Sequence, residues 1–180
     1  MAIDLNLGET GRILAVCRAQ ALDAAQTAYV LATAYWETNR TMEPVEEAYW
    51  LSDTWRRRNL RYYPWHSRGF VQLTWEANYR KAGARLGLDL LSDPDLARDP
   101  QIAAAILVRG MVEGWFTGKK LGEYVHGTRH GFYEARRVVN GLDRAADIAV
   151  IAECYLRAVN PAPVPWIVKI FQYLTQRKSA

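Results

Sequence analysis

The chain has little of what marks several protein classes. Two cysteines occur in 180 residues. Cys17 and Cys154 both sit in apolar helical patterns, so buried free thiols are expected and nothing suggests a disulfide framework. No run is long and apolar enough to span a bilayer. The N-terminal stretch carries Asp4 and Glu9 and lacks the continuous apolar segment of a secretory signal. Synthesis in the cytoplasm is therefore expected, with action on a cell wall requiring a separate route of release. Histidine is scarce, at three residues. His126 and His130 have the i, i+4 spacing of zinc ligands, but Gly127 and Gly131 oppose a rigid helix there and no cysteine or third histidine is near, so no metal is expected. Repeats, low-complexity tracts and domain linkers are absent, and residues 1–180 read as one domain.

Other features are plentiful. Half of the residues are hydrophobic and 23% are charged, as in a globular protein with a real core. Aromatic residues reach 12%, with seven Trp and ten Tyr, which suits a dense core or a cleft that stacks on sugar rings. The net charge is +4. Part of that excess is local, in Arg56, Arg57, Arg58 and Arg61. Such a cluster is commonly a solvated face, and it also suits an anionic polymer or surface.

Helical periodicity dominates. A first helix is read over 11–22. A second is capped by Asp23 with Gln26 as capping-box partner, and it carries Glu37 at the end of the stripe Val30, Ala34, Glu37. Tyr35 and Trp36 flank that carboxylate, and partial burial there would favour its protonated form. A short helix is expected over 46–55, a short strand over 70–74, and a helix over 75–86 stopped by Gly87. Asp99-Pro100 opens the next helix, with Gly118 as its end. Residues 132–139 form another, closed by Asn140-Gly141. Asp143 caps the last of the body, with Ile148, Ala152, Tyr155 and Val159 inward. Pro161, Pro163 and Pro165 make a stiff connector to an amphipathic segment over 166–176. That segment suits docking on the body, or weak contact with a membrane surface. The fold class is mainly α, with at most a small β-hairpin.

Three constellations carry chemistry. Glu37 is followed by Glu43, Glu46 and Glu47 on a separate element, and glycosidic cleavage commonly uses a carboxylate pair. Ser67-Arg68-Gly69-Phe70-Val71-Gln72-Leu73-Thr74, with Asn78 and Tyr79, combines a tight glycine position, a polar amide among apolar residues, and a hydroxyl four residues before an amide. Read alone, Thr74 is an ordinary helix N-cap. Arg136-Arg137-Val138-Val139-Asn140-Gly141 reads by default as a helix C-cap.

In this order, with Trp36-Glu37-Thr38, Pro44-Val45-Glu46-Glu47-Ala48 and Asp93-Pro94-Asp95-Leu96, these pieces resemble the family 19 glycoside hydrolases, which are chitinases and lysozyme-like phage endolysins. The likeness covers roughly residues 25–158. It implies a two-lobed, lysozyme-like helical fold with the cleft between the lobes and no cofactor. It implies Glu37 as general acid and a second glutamate as general base, about 6.5–9.5 Å apart in an inverting enzyme. Alignment on Pro44-Val45 and Ala48 favours Glu47 as that base, and counting from Glu37 also allows Glu46. Thr74 is implied to hold the attacking water with Asn78 close by. Gln72, Tyr79 and Asn140 are implied to line the sugar subsites, and Arg68 to brace the cleft floor through a carboxylate. Two departures stand out. Trp36 replaces the histidine that many members have before the acid, and Ser67 replaces the first glycine of Gly-Arg-Gly. The expected activity is hydrolysis of β-1,4 bonds in peptidoglycan by a monomeric endolysin, with chitin as the alternative substrate and an inactive glycan-binding protein as the third reading. Nucleic acid is not an expected partner.

Overall fold

A computed structural model describes residues 2–160, and the proline-rich connector and amphipathic segment lie outside the described residues. Among the described residues there are seven α-helices, with short 3-10 turns and two two-stranded sheets. The helices are α1 (Thr10–Ala19), α2 (Ala24–Glu37), α3 (Asp53–Asn59), α4 (Glu76–Leu86), α5 (Pro100–Glu113), α6 (Phe132–Ala135) and α7 (Ala145–Val159). The strands are β1 (Val45–Glu46), β2 (Arg68–Gly69), β3 (Val125–His126) and β4 (Arg129–His130). No described helix is long and apolar enough to cross a membrane.

α2 is the central element. The Asp23 carboxylate accepts from the Gln26 backbone N–H at 2.8 Å, and the Gln26 side chain accepts in return from the Asp23 N–H at 3.2 Å. This satisfies two of the donors that a helix start leaves open. Gln26 also donates to the Val125 carbonyl at 3.0 Å, which ties the β3–β4 hairpin to the start of α2. Every residue from Ala28 to Ala34 is buried, so the middle of α2 is enclosed on all sides. A helix of that kind is stabilised by packing rather than by propensity, at about 1.5–3 kcal/mol for each fully buried large apolar side chain. α2 packs most extensively on α7, α1 lies on α5, and α6 lies on α7. The smaller part of the fold is built on β1 and β2, with β2 held against α5 and the 3-10 turn Pro94–Arg98.

Several elements differ from the sequence expectations. The helix expected over 46–55 is instead strand β1 followed by α3, because Ser52 caps at Trp55 N and Val45 pairs with Gly69. The strand expected over 70–74 is displaced to 68–69. Phe70 to Gln72 form a tight loop closed by Arg68–Leu73 backbone bonds of 3.1 and 2.9 Å. Gly69 makes that loop possible: its φ is +81°, and a Cβ would lie 2.7 Å from the Ala97 carbonyl oxygen. α5 ends at Gly114, whose φ of 78° is the left-handed cap, so the helix stops before Gly118. Thr74 caps nothing, since Trp75 precedes α4 at φ 76° without a side-chain cap. Asp143 is not the cap of α7 either. Arg144, at φ 58°, turns the chain into that helix, and the Asp143 carbonyl accepts from Arg136 Nε at 3.1 Å. Two small sheets are present where one hairpin was the most expected.

Candidate active site

Glu37 closes α2, and a fixed turn sets where its side chain goes. Thr38 is buried; its hydroxyl donates to the Ala34 carbonyl at 2.8 Å and accepts from the Met42 N–H at 3.0 Å. Facing Glu37 is a group from the far end of the chain. Arg136 Nη1 donates to Glu37 Oε1 at 2.7 Å, with the two side chains 4% and 17% exposed respectively. Arg136 is held in place by the Asp143 carbonyl. The short helical turn read as a C-cap from sequence therefore delivers a guanidinium to the candidate acid. The available signal was Arg136 at i+4 from Phe132, on the buried side of that turn.

Glu46 and Glu47 point to different chemistry, as adjacent residues in extended backbone must. Glu46 is enclosed by cations and an imidazole. His66 Nε2 lies 2.8 Å from its Oε1 and Arg68 Nη2 3.5 Å, while Arg56 and Arg98 each lie 3.6 Å from Oε2. Burial pushes the His66 pKa down, against the opposing pull of Glu46. The neutral ring then donates from Nε2 to Glu46, and Nδ1 is the buried nitrogen without a partner. Arg68 is buried and fully engaged. Nε donates to Asp95 at 2.9 Å, and Nη1 donates to the Pro64 carbonyl at 2.8 Å and the Tyr79 hydroxyl at 3.1 Å.

Glu47 is held only by neutral donors. Tyr62 donates its hydroxyl to Oε1 at 2.8 Å, and Ser67 donates its hydroxyl to Oε2 at 2.9 Å and its N–H at 3.3 Å. Tyr62 is set edge-on against Trp75 at 5.0 Å. Its phenol pKa is raised, first by burial and then by the bond to Glu47 and that group's charge.

Glu37, Glu46, Glu47, Tyr49, Trp50 and Gln72 line one cavity of about 370 Å³. Tyr49 and Trp50 are 66% and 71% exposed and meet edge to face at 5.2 Å, presenting aromatic surface at its wall. Glu46 also lines a second cavity of about 480 Å³, walled by Arg56, Arg68 and Arg98. Its three guanidinium contacts all line that second cavity. Six non-glycine residues around the two candidate carboxylates have positive φ: Asn39, Arg40, Met42, Ala48, Gln72 and Trp75. Such strain commonly gathers at functional sites.

The remaining expected site residues are placed unevenly. Gln72 lines the cavity, with Nε2 donating to the Gly69 carbonyl at 3.1 Å. Tyr79 is 0% exposed and corrects the expectation of a sugar contact. Its hydroxyl donates to the His66 carbonyl at 2.7 Å, and burial pushes its pKa up to about 12. Arg68 is likewise a buried brace; it lines the second cavity and not the one that holds Glu37 and Glu47. Thr74 is outside the cavity lining; its hydroxyl meets Ser67 Oγ and the Gln72 carbonyl, each at 2.8 Å. Asn78 donates to the Thr74 carbonyl at 2.8 Å and so supports the loop that carries Thr74. Asn140 is exposed on the Arg136 turn, its Oδ1 accepting from Gly141 N at 2.8 Å, and it too is outside the lining. His126 and His130 lie on the two strands of a hairpin rather than on one helix face, and His130 stacks on Phe132. Among the described residues no cluster of three or more His, Cys, Asp or Glu is arranged to hold a metal.

The basic cluster is partly neutralised. Arg56 pairs with Glu46 and Asp53, Arg57 lies 3.9 Å from Asp53, and Arg61 stacks over Trp75 at 4.8 Å. Cys17 and Cys154 are free and buried, and burial pushes the Cys17 thiol up to about 12.

Comparison with known proteins gives the family and the fold. The chitinase class I profile of glycoside hydrolase family 19 matches residues 18–154, and the chain belongs to that family. The chain is similar to an endochitinase of Arabidopsis thaliana, 37% identical over 78 residues, which is 43% of this chain and 25% of that protein. A Theobroma cacao endochitinase is 38% identical over 66 residues, 36% of this chain and 20% of that one. The matches thus span a quarter or less of these curated relatives. The crystal structure of a bacterial family 19 chitinase superposes with a TM-score of 0.55 at 23% identity, over 85% of this chain and 87% of that one. A chitinase C variant superposes with a TM-score of 0.54 at 18% identity, over 76% and 72% of the two chains. These superpositions establish the lysozyme-like fold of the family.

Proposed function

We propose that the protein hydrolyses β-1,4 bonds of an N-acetylglucosamine-containing glycan with inversion, using Glu37 as general acid and Glu47 as general base. The observation that carries this reading is the placement of Glu37, at the end of α2, and Glu47, in the turn after β1, on the wall of one cavity. Glu37 protonates the leaving glycosidic oxygen as that bond breaks. Glu47 takes a proton from a water that attacks the anomeric carbon on the opposite face. Arg136 fixes the Glu37 carboxyl through Oε1 and acts as a positioning residue.

The contacts of Glu46 support this choice of base. Taking a proton there would leave three guanidinium groups facing a neutral acid. Glu47 has only hydroxyl and amide donors, so no ion pair is broken when it accepts a proton. Tyr49 and Trp50 offer faces on which the apolar side of a pyranose ring packs.

Chitin-type oligomers are the preferred substrate, in line with the relatives named as chitinases. Peptidoglycan strands are the second reading. The exposed Arg57, Arg58 and Arg61 favour it, since a cationic rim suits an anionic wall polymer and an endolysin acting on the wall after release. The test is to incubate the protein separately with soluble chitin hexamer and with purified peptidoglycan and to identify the sugar at each new reducing end. Cleaved chitin supports the first reading. Peptidoglycan cleavage with intact chitin supports the second. Binding without cleavage of either overturns the proposal in favour of an inactive glycan-binding protein.

A further inference from the structure

The geometry points to Ser67, where many family members carry glycine, as a positioning residue that orients the base Glu47 and leaves it one open acceptor site. The inference rests on the reading of Glu47 as the base. An ionised carboxylate only accepts hydrogen bonds, at about four lone-pair sites. Three are occupied in this structure. Tyr62 Oη fills one on Oε1, and the Ser67 hydroxyl and N–H fill both on Oε2. One site remains, on Oε1, and the attacking water must bind there. The two residues are also joined through the backbone, because Glu47 N–H donates to the Ser67 carbonyl at 2.9 Å. That bond extends the ladder in which Glu46 faces Arg68. Ser67 is therefore fixed to Glu47 at three points, and the carboxylate plane cannot turn without breaking one.

Proton counting sets the direction of the next contact. Ser67 has one hydroxyl proton, and Glu47 has none to give, so that proton lies toward Glu47. Thr74 also has one hydroxyl proton, and two acceptors face it at 2.8 Å, the Gln72 carbonyl and Ser67 Oγ, so the contact between the two hydroxyls rests on a Thr74 proton shared with that carbonyl. Thr74, itself anchored to the Gln72 carbonyl, thereby limits the Ser67 rotamer through that shared proton, and the residue implied by family resemblance to hold the water acts on the base through Ser67. A glycine at 67 keeps the N–H bond but has no hydroxyl to link Glu47 and Thr74.

The test uses kcat and KM of the full chain on soluble chitin hexamer, or on peptidoglycan if that is the polymer cleaved, with the variants Ser67→Ala, Ser67→Thr, Thr74→Val, Ser67→Ala/Thr74→Val and Glu47→Gln. Ser67→Ala is expected to lower kcat roughly 10- to 100-fold, the range for loss of one charged hydrogen bond, with KM within about twofold. Ser67→Thr, which keeps the hydroxyl, is expected to recover kcat to within about threefold of the parent. The double variant is expected to be no slower than Ser67→Ala alone, because both changes cut one chain. Wild-type kcat in Ser67→Ala, a loss confined to KM, or full additivity in the double variant overturns the role. Folded Ser67→Thr without recovery does the same. Glu47→Gln separates the two levels. If it turns over normally, the base reading falls and takes Ser67 with it. If it is inactive while Ser67→Ala is fully active, only the Ser67 inference falls.

Discussion

Arg136 Nη1 and Glu37 Oε1 meet at 2.7 Å across 99 positions of sequence, joining the end of α2 to the turn that follows α6. Both side chains are largely withdrawn from solvent. Removing one partner of such a pair leaves the other charge uncompensated, which costs about 3–5 kcal/mol for a buried pair. Arg136→Met is expected to lie at the lower end of that range, because Glu37 retains some access to water. Urea unfolding midpoints measure this loss. A midpoint unchanged from the parent would mean that the pair does not organise the site.

Glu46 and Glu47 separate stability from turnover. Glu46→Gln is expected to destabilise the fold by about 3 kcal/mol, because it leaves a cluster of buried and half-buried cations without their shared anion. Per folded molecule it should retain most of the activity. Glu47→Gln is expected to unfold near the parent midpoint and to lose turnover by three orders of magnitude or so, the upper part of the usual range for general acid–base catalysis. Melting curves and initial rates on the same four samples, parent included with the double variant, decide the assignment. Loss of turnover in Glu46→Gln alone would reverse it.

His66 gives the fold a pH dependence. Its pKa is lowered from the ordinary 6.5, chiefly by burial. The unfolded chain therefore binds a proton more readily than the folded one. The stabilising contribution of the neutral ring is present above pH 6.5 and is lost as pH falls through the lower folded value. The difference in unfolding free energy between the parent and His66→Gln is expected to shrink steadily between pH 7 and pH 5. A difference that stays constant across that window would contradict a neutral His66 donating to Glu46.

Gly69→Ala tests the floor of the cleft. A Cβ there meets the Ala97 carbonyl at 2.7 Å in a left-handed backbone conformation. The expected loss is about 2 kcal/mol or more, read from chemical denaturation. Because Gly69 pairs with Val45 next to the two glutamates, activity should fall together with stability.

The elements legible in the sequence were those set by local chemistry. The Asp23–Gln26 capping box, the Asp99-Pro100 start and the Gly87 stop all appear in the structure. Glu37, Glu46 and Glu47 line a common cavity, and Arg68 meets carboxylates. Long-range pairings were not legible. Val45 and Gly69 pair across 24 positions, which turned an expected helix start into a strand and shifted the expected strand to 68–69. Family resemblance implies Tyr79 as a sugar contact. Its position on the inner face of α4 instead buries it against His66 and Arg68. Arg136 was hidden within a motif whose asparagine and glycine suggested only a helix end. Spacing along one segment cannot reveal a partner supplied from the far end of another.

The stereochemistry of the first product tests the account most directly. Proton NMR of the anomeric region, recorded in the first minutes of soluble chitin hexamer hydrolysis before mutarotation, reports which anomer the enzyme releases. Glu37 as acid and Glu47 as water-activating base predict the α-anomer from a β-linked substrate, with the signal lost in both Glu37→Gln and Glu47→Gln. Release of the β-anomer, or normal turnover in either variant, would contradict it.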